Sequence, residues 1–226
     1  MAWRCSGKTN KELIANMADA NIIESERVTE AMAKVDRANY VRHTYTAYED
    51  SPQGIGYSAT ISAPHMHAYA CSQLLPYLRP GSRVLDVGSG SGYLTAVLYH
   101  LVSPGGTVVG IEHIPELVQW SEENLRKDGL GHALDEGRIV MVAGDGRKGY
   151  PSAGPYDAIH VGAAAPTLPS ELVEQLASPG RMFIPVGTYS QHIQHIDKND
   201  NGKTTQKSVM SVIVSLLVSA TLRRKY

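Results

Sequence analysis

Three acidic residues stand beside glycines in the middle of the chain, and their surroundings define what they could bind. Asp86 comes two residues before Gly88-Ser89-Gly90-Ser91-Gly92. Glu112 lies twenty residues past Gly92, closing the apolar run that starts at Thr107, and Asp145 sits between Gly144 and Gly146. Arg83 to Val87 is short, apolar and β-prone, and a helix-forming run begins at Tyr93, so the glycines mark a strand, a tight turn and a helix start. Glycine permits positive φ and lets a ligand lie against the main chain, while a helix N-terminus offers unpaired N–H groups. That combination is a cradle for a nucleoside-containing cofactor. A carboxylate buried near the end of a strand needs a cationic or hydrogen-bonding partner.

A dinucleotide would place its pyrophosphate near Asp86 and be repelled, whereas the ammonium group of S-adenosylmethionine would be attracted. Glu112 has the spacing of an acid that accepts from ribose hydroxyls, and Asp145 could accept from the exocyclic amine of adenine. The three acids therefore outline a pocket for ammonium, sugar and base, with S-adenosylmethionine the cofactor expected and S-adenosylhomocysteine its product. Two further groups invite chemical readings. Ser62, just before Ala63-Pro64, has the position of a helix N-cap. His65 and His67 lack the i, i+4 spacing of a helical metal pair and have no thiol or carboxylate cluster beside them in sequence, which argues against a metal.

These acids need a scaffold that brings strand ends together. Thr9-Asn10-Lys11-Glu12 has capping-box spacing ahead of Leu13, Ile14 and Met17, and a second helix is expected near Ser25, with Val28, Met32 and Val35 on one face. Asp36 to Tyr57 is irregular and tyrosine-rich. A helix is expected from Ser62-Ala63-Pro64 to Leu78. Strands at Arg83–Val87, Thr107–Ile111, Arg138–Ala143, Tyr156–Val161 and Arg181–Val186 alternate with helices at Leu94–Leu101, Pro115–Lys127 and Ser170–Leu176. Alternation of this kind implies an α/β fold, a doubly wound and mostly parallel sheet with ligands at the carboxyl ends of its strands. After Val186 a hairpin is expected, Gln191–Ile196 and Ser208–Val214, joined by a polar turn. Asp197-x-Asn199-x-Asn201-Gly202 imitates a calcium loop, but its twelfth position is Ser208 rather than Glu.

At 226 residues, 42% hydrophobic and 19% charged, the chain suits a single globular domain, divided into an N-terminal helical extension (1–80), a cofactor-binding core (81–187) and a C-terminal β-rich segment (188–226). A net charge of −1 gives no electrostatic case for nucleic acid. Two isolated cysteines, Cys5 and Cys71, do not make a disulfide framework, and no apolar run reaches the ~20 residues of a membrane helix. A cytosolic monomer without membrane contact is expected.

The segments Val84–Gly92, Gly144-Asp145-Gly146-Arg147 and Tyr156–Gly162 resemble the S-adenosylmethionine-dependent methyltransferases with their Rossmann-like fold. Asp50-Ser51-Pro52-Gln53, Ala59–Ala68 and Gly162–Pro166 narrow the resemblance to the protein L-isoaspartyl (D-aspartyl) O-methyltransferases. The resemblance implies methyl transfer to the free α-carboxylate of L-isoaspartyl residues, and the β-carboxylate of D-aspartyl residues, in damaged proteins and peptides. It implies that Ser62 is the catalytic residue, with Ala59, Thr60 and Ile61 shaping the adjoining pocket. It also implies that His67, Asp86, Gly88, Ser91, Glu112, His113, Asp145 and Gly146 contact the cofactor. The tail departs from the family: Leu216-Leu217-Val218-Ser219 replaces a Pro-Leu-Thr element, and the chain ends Arg223-Arg224-Lys225-Tyr226. The competing readings are a nicotinamide-dependent oxidoreductase, which Asp86 and Gly144-Asp145-Gly146 fit poorly, and a methyltransferase-like module that holds cofactor without transferring anything.

Overall fold

The computed structural model describes residues 5–214 and 217. Of the tail singled out above only Leu217 is included; Leu216, Val218, Ser219 and residues 223–226 lie outside the described residues.

Helix α1 (Asn10–Asp19) starts where Thr9 accepts a hydrogen bond from the Glu12 amide, and it buries Leu13, Ile14 and Met17. Helix α2 (Glu26–Ala33) buries Val28, Ala31 and Met32. Both belong to the core cluster on one face of the central sheet, as do the inner faces of the helices that follow. A 3₁₀ turn, Arg37–Tyr40, then leads to a short hairpin of β1 (Gln53–Gly56) and β2 (Ala59–Ile61). Its turn residues Tyr57 and Ser58 both have positive φ, 54° and 55°, the geometry of a tight hairpin turn that ordinarily selects Asn or Gly.

Helix α3 spans Pro64–Leu74 and ends in a 3₁₀ turn, shorter than the helix to Leu78 expected from sequence. Its cap corrects the reading of Ser62. Ala63 is the N-cap residue and makes no side-chain cap bond. The first-turn amide of His65 donates to Asp50 Oδ1 at 3.0 Å, from a loop fifteen residues upstream. A carboxylate there also complements the helix dipole. Ser62 is thereby left without a capping task.

The sheet runs β3 (Arg83–Val87), β4 (Thr107–Glu112), β5 (Ile139–Ala143), β6 (Tyr156–Val161), β7 (Leu176–Val186), β8 (Gln191–Lys198) and β9 (Thr204–Val212), in the spatial order β5-β4-β3-β6-β7-β8-β9. The first five in that order are parallel; β8 and β9 add antiparallel. Helices α4 (Tyr93–Val102), α5 (Pro115–Lys127) and α6 (Gly131–Asp135) contribute to the same core cluster as α1 to α3, while α7 (Ser170–Glu174) packs on the opposite face through Leu172.

Two expectations shift here. The strand placed at Arg181 begins at Leu176, and α7 stops at Glu174. Ser178-Pro179-Gly180 is absorbed by a register irregularity between the β6 residues Tyr156 and Ala158, a place where a strand tolerates proline. The C-terminal hairpin is present and longer than expected. Its turn is held by Asn199, whose side-chain oxygen accepts from the amides of Asn201 and Lys203.

The chain moves outward from β3 through β4 to β5, then returns to β6 on the other side of β3. In an open parallel sheet the crevice at such a reversal, beyond the carboxyl ends of the strands, is where ligands bind.

Candidate cofactor and acceptor cleft

Alternation along β3 turns Leu85 and Val87 toward the α7 face and leaves Val84 and Asp86 on the face covered by α1 to α6. Asp86 is 1% exposed and already has two partners. Thr95, one turn into α4, donates to its Oδ2 at 2.6 Å, and Nδ1 of His160 lies 2.8 Å from its Oδ1. His160 is the residue opposite Asp86 in the β3–β6 register. The buried acid that seemed to call for an external cation is thus stabilised from within. Each carboxylate oxygen retains a second lone pair for a further donor.

The glycine turn is also largely self-held. The amides of Gly88 and Ser89 donate to Ile111 O at 2.8 and 3.2 Å, and that of Gly92 to Ser89 O at 2.9 Å. The Gly90 amide points to Glu112 Oε2 at 3.3 Å. Gly88, Gly90 and Gly92 have φ of 77°, 52° and 85°, so the glycines are required by the path of the chain itself. At Gly92 a side chain would in addition press on Ser121, 3.2 Å away, where α4 meets α5.

Around this turn lies a solvent-open cleft. Of the residues named from sequence, Thr60, Ile61, Ser62, His67, Asp86, Gly88 and Ser91 line it, and Ala59 precedes them on β2. Glu112, His113, Asp145 and Gly146 are not among its lining residues; they stand at the ends of β4 and β5. Glu112 is 6% exposed, and its Oε1 accepts from the amides of His113 and Ile114 at 2.7 and 3.1 Å. Asp145 is held by Arg147, whose Nη2 lies 2.6 Å from Oδ2, and that pairing keeps its carboxyl below the usual range. A side chain at Gly146 would collide with Val87, 2.5 Å away, so the main chain there lies close against β3.

Ser89 and Gly90, read from sequence as part of the glycine cradle, line the cleft, as does Gly162 at the end of β6. His160, Tyr93 and Leu94 also line it, and sequence reasoning did not single them out as site residues. His160 did leave a signal, as a basic residue near the carboxyl end of an otherwise apolar buried strand. Tyr93 left none, because its place one residue past the glycines matches an ordinary helix start.

The fit of a polar cofactor can be tested on the cleft wall. His67 Nδ1, Ser89 Oγ and Tyr93 OH are buried and have no hydrogen-bond partner in the protein. Such atoms are rare in folded proteins, and three in residues that line one cleft suit a bound molecule rich in donors and acceptors. Burial and the nearby Arg37 hold the His67 imidazole well below its ordinary pKa, so it is neutral, while burial raises that of Tyr93. Among the described residues, no group of three His, Cys, Asp or Glu side chains is arranged to hold a metal ion.

Residues 8–222 match the family model described as protein-L-isoaspartate(D-aspartate) O-methyltransferase. A protein-L-isoaspartate O-methyltransferase of Triticum aestivum is 51% identical over 203 residues, covering 90% of this chain and 88% of that protein. One of Caenorhabditis elegans is 49% identical over 221 residues, covering 97% and 96%. Among solved structures, a Plasmodium falciparum protein-L-isoaspartate O-methyltransferase in complex with S-adenosyl-L-homocysteine superposes with a TM-score of 0.86 at 34% identity, covering 94% of this chain and 99% of that one.

Proposed function

Because the chain belongs to the protein-L-isoaspartate(D-aspartate) O-methyltransferase family, we propose that the cleft at the β3–β6 switch point is where donor and acceptor meet, with Ser62 orienting the acceptor. The enzyme transfers a methyl group from S-adenosylmethionine to the free α-carboxylate of L-isoaspartyl residues in proteins and peptides. The family match assigns methyl transfer in preference to nicotinamide-dependent redox chemistry or a non-catalytic module. The product ester can close to a succinimide and reopen, partly restoring aspartate.

When bound, S-adenosylmethionine supplies a methyl group activated on a sulfonium. A carboxylate acceptor is ionised at neutral pH, so no strong base is required and the chain's task is alignment and exclusion of water. Ser62 Oγ suits the alignment: by donating to one carboxylate oxygen it leaves the other aimed at the methyl carbon. Its freedom from capping duty, which Asp50 takes over, is the observation that carries this role. Asp86 offers its remaining lone pairs to the donor's ammonium, Glu112 to the ribose, and Asp145 with Gly146 to the adenine. Thr60, Ile61, His67, Gly88 and Ser91 form the walls between, flanked by Ala59 and His113.

Among the described residues, no helix is long and apolar enough to cross a membrane. Cys5 and Cys71 are free, buried thiols, which fits the reducing cytosol proposed as the site of action, and a monomer is the proposed working unit. A crystal structure with S-adenosylhomocysteine tests the site. Asp86, Glu112 and Asp145 should each lie within hydrogen-bond reach of the amino, ribose and adenine groups. All three turned away from the ligand would contradict the assignment.

A further inference from the structure

Arg37 is completely buried, at 0% exposure, on the 3₁₀ turn behind the cleft wall. Nη2 donates to the main-chain oxygen of Ser62 at 2.8 Å, and Cζ lies 5.3 Å from the ring centroid of Tyr93. Ser62 and Tyr93 both line the cleft. Nε and Nη1 are buried with no hydrogen-bond partner, and among the described residues no carboxylate lies within ion-pairing distance of the guanidinium. Asp50 is the acid whose field it feels, but Asp50 Oδ1 is held by His65, and its buried Oδ2, itself without a hydrogen-bond partner, does not come within ion-pairing distance of the guanidinium.

A buried cation is kept in proteins when something pairs with it, and here one donor of five is used. Burial lowers the Arg37 pKa to about 10, so it stays charged at neutral pH, whereas His67 on the same wall is neutral. Arg37 is therefore the permanent positive charge against the wall formed by Ser62, His67 and Tyr93. A carboxylate bound on the open side of that wall would complete it. Methyl transfer to a carboxylate neutralises both reacting charges, so a fixed cation gains most from the ionised ground state. Its contribution belongs to binding and orientation rather than to the speed of transfer.

The geometry points to Arg37 as a positioning residue that clamps the Ser62 carbonyl and supplies the positive field for a carboxylate bound against Ser62, His67 and Tyr93. The inference rests on the methyl-transfer reading, and two carboxylates meet its chemistry: that of the donor's amino-acid end and that of the acceptor.

The test uses Arg37→Gln and Arg37→Lys in the full chain. Calorimetry reads S-adenosylhomocysteine against its decarboxylated analogue, and steady-state kinetics read an isoaspartyl peptide. If the donor carboxylate is the partner, R37Q weakens S-adenosylhomocysteine by about tenfold or more and leaves the decarboxylated analogue unchanged. If the acceptor is the partner, peptide KM rises about tenfold while kcat moves by less than about threefold. In either case R37K, which keeps the charge, recovers most of the loss. Equal loss for both cofactor analogues with R37K no better than R37Q, or no change in affinity or KM, would overturn the proposal. Should R37Q fail to fold, R37K decides. Affinities within about threefold of the unaltered protein support a charge role, and a loss of about tenfold at unchanged melting temperature refutes it. Unaltered enzyme that transferred no methyl to the peptide would refute the methyl-transfer reading, and the cofactor arm would still report on Arg37.

Discussion

His160 Nδ1 lies 2.8 Å from Asp86 Oδ1, joining residues 74 apart in sequence across adjacent parallel strands at the point where the sheet reverses direction. The contact orients the Asp86 carboxylate in the cleft floor, held on its other oxygen by Thr95. In this arrangement the ammonium of the donor meets a carboxylate that is already oriented. Asp86→Asn removes the charge and reverses one side of the hydrogen-bonding pattern. It should weaken S-adenosylhomocysteine by about tenfold or more. Unchanged affinity by calorimetry would remove Asp86 from the ammonium site.

Thr95 tests the support separately from the ligand. Thr95→Val keeps the shape and deletes the donor to Asp86 Oδ2, leaving a carboxylate oxygen buried without that partner. The expected cost is about 1–3 kcal/mol in urea unfolding. A stability equal to that of the unaltered protein would mean that the 2.6 Å contact contributes nothing.

Ser62→Ala should lower turnover on the order of 10²-fold through lost alignment, while S-adenosylhomocysteine affinity changes little. Rates and peptide KM that both match the unaltered enzyme would rule out the orienting role of the hydroxyl.

The neutral, buried His67 gives stability a pH dependence of known sign. Its folded pKa lies well below that of the unfolded chain, near 6.5, so under mildly acidic conditions the unfolded state binds more protons. Its stabilising share is complete above about pH 6.5 and is lost as the pH falls toward the folded value, at no more than about 1.4 kcal/mol per pH unit. His67→Gln should flatten this acid limb in urea unfolding measured from pH 7 downward. An identical slope in both proteins would show that His67 is not held neutral.

What the sequence disclosed was local. The strand, glycine turn and helix from Arg83 to Val102 could be read because hydrophobic period and turn chemistry change within a few residues, and α5 has the bounds Pro115 and Lys127 that its proline and periodicity indicate. What stayed hidden depends on distant partners. The β1–β2 hairpin turns through Tyr57 and Ser58, residues that do not advertise positive φ. Ser62 looks like a cap until Asp50 is seen to hold the helix start. Arg37 sits in an irregular stretch, and its meaning appears only when its guanidinium is found on the Ser62 carbonyl. Asp86, Glu112 and Asp145 were found at one sheet edge as expected, but their existing partners within the protein could not be inferred from composition or spacing.

The most direct test supplies methyl-labelled S-adenosylmethionine and two peptides that differ only at one residue, isoaspartyl in one and aspartyl in the other. Base-labile label on the isoaspartyl peptide alone is the predicted result. Equal labelling of both peptides, or none on either, would contradict the account.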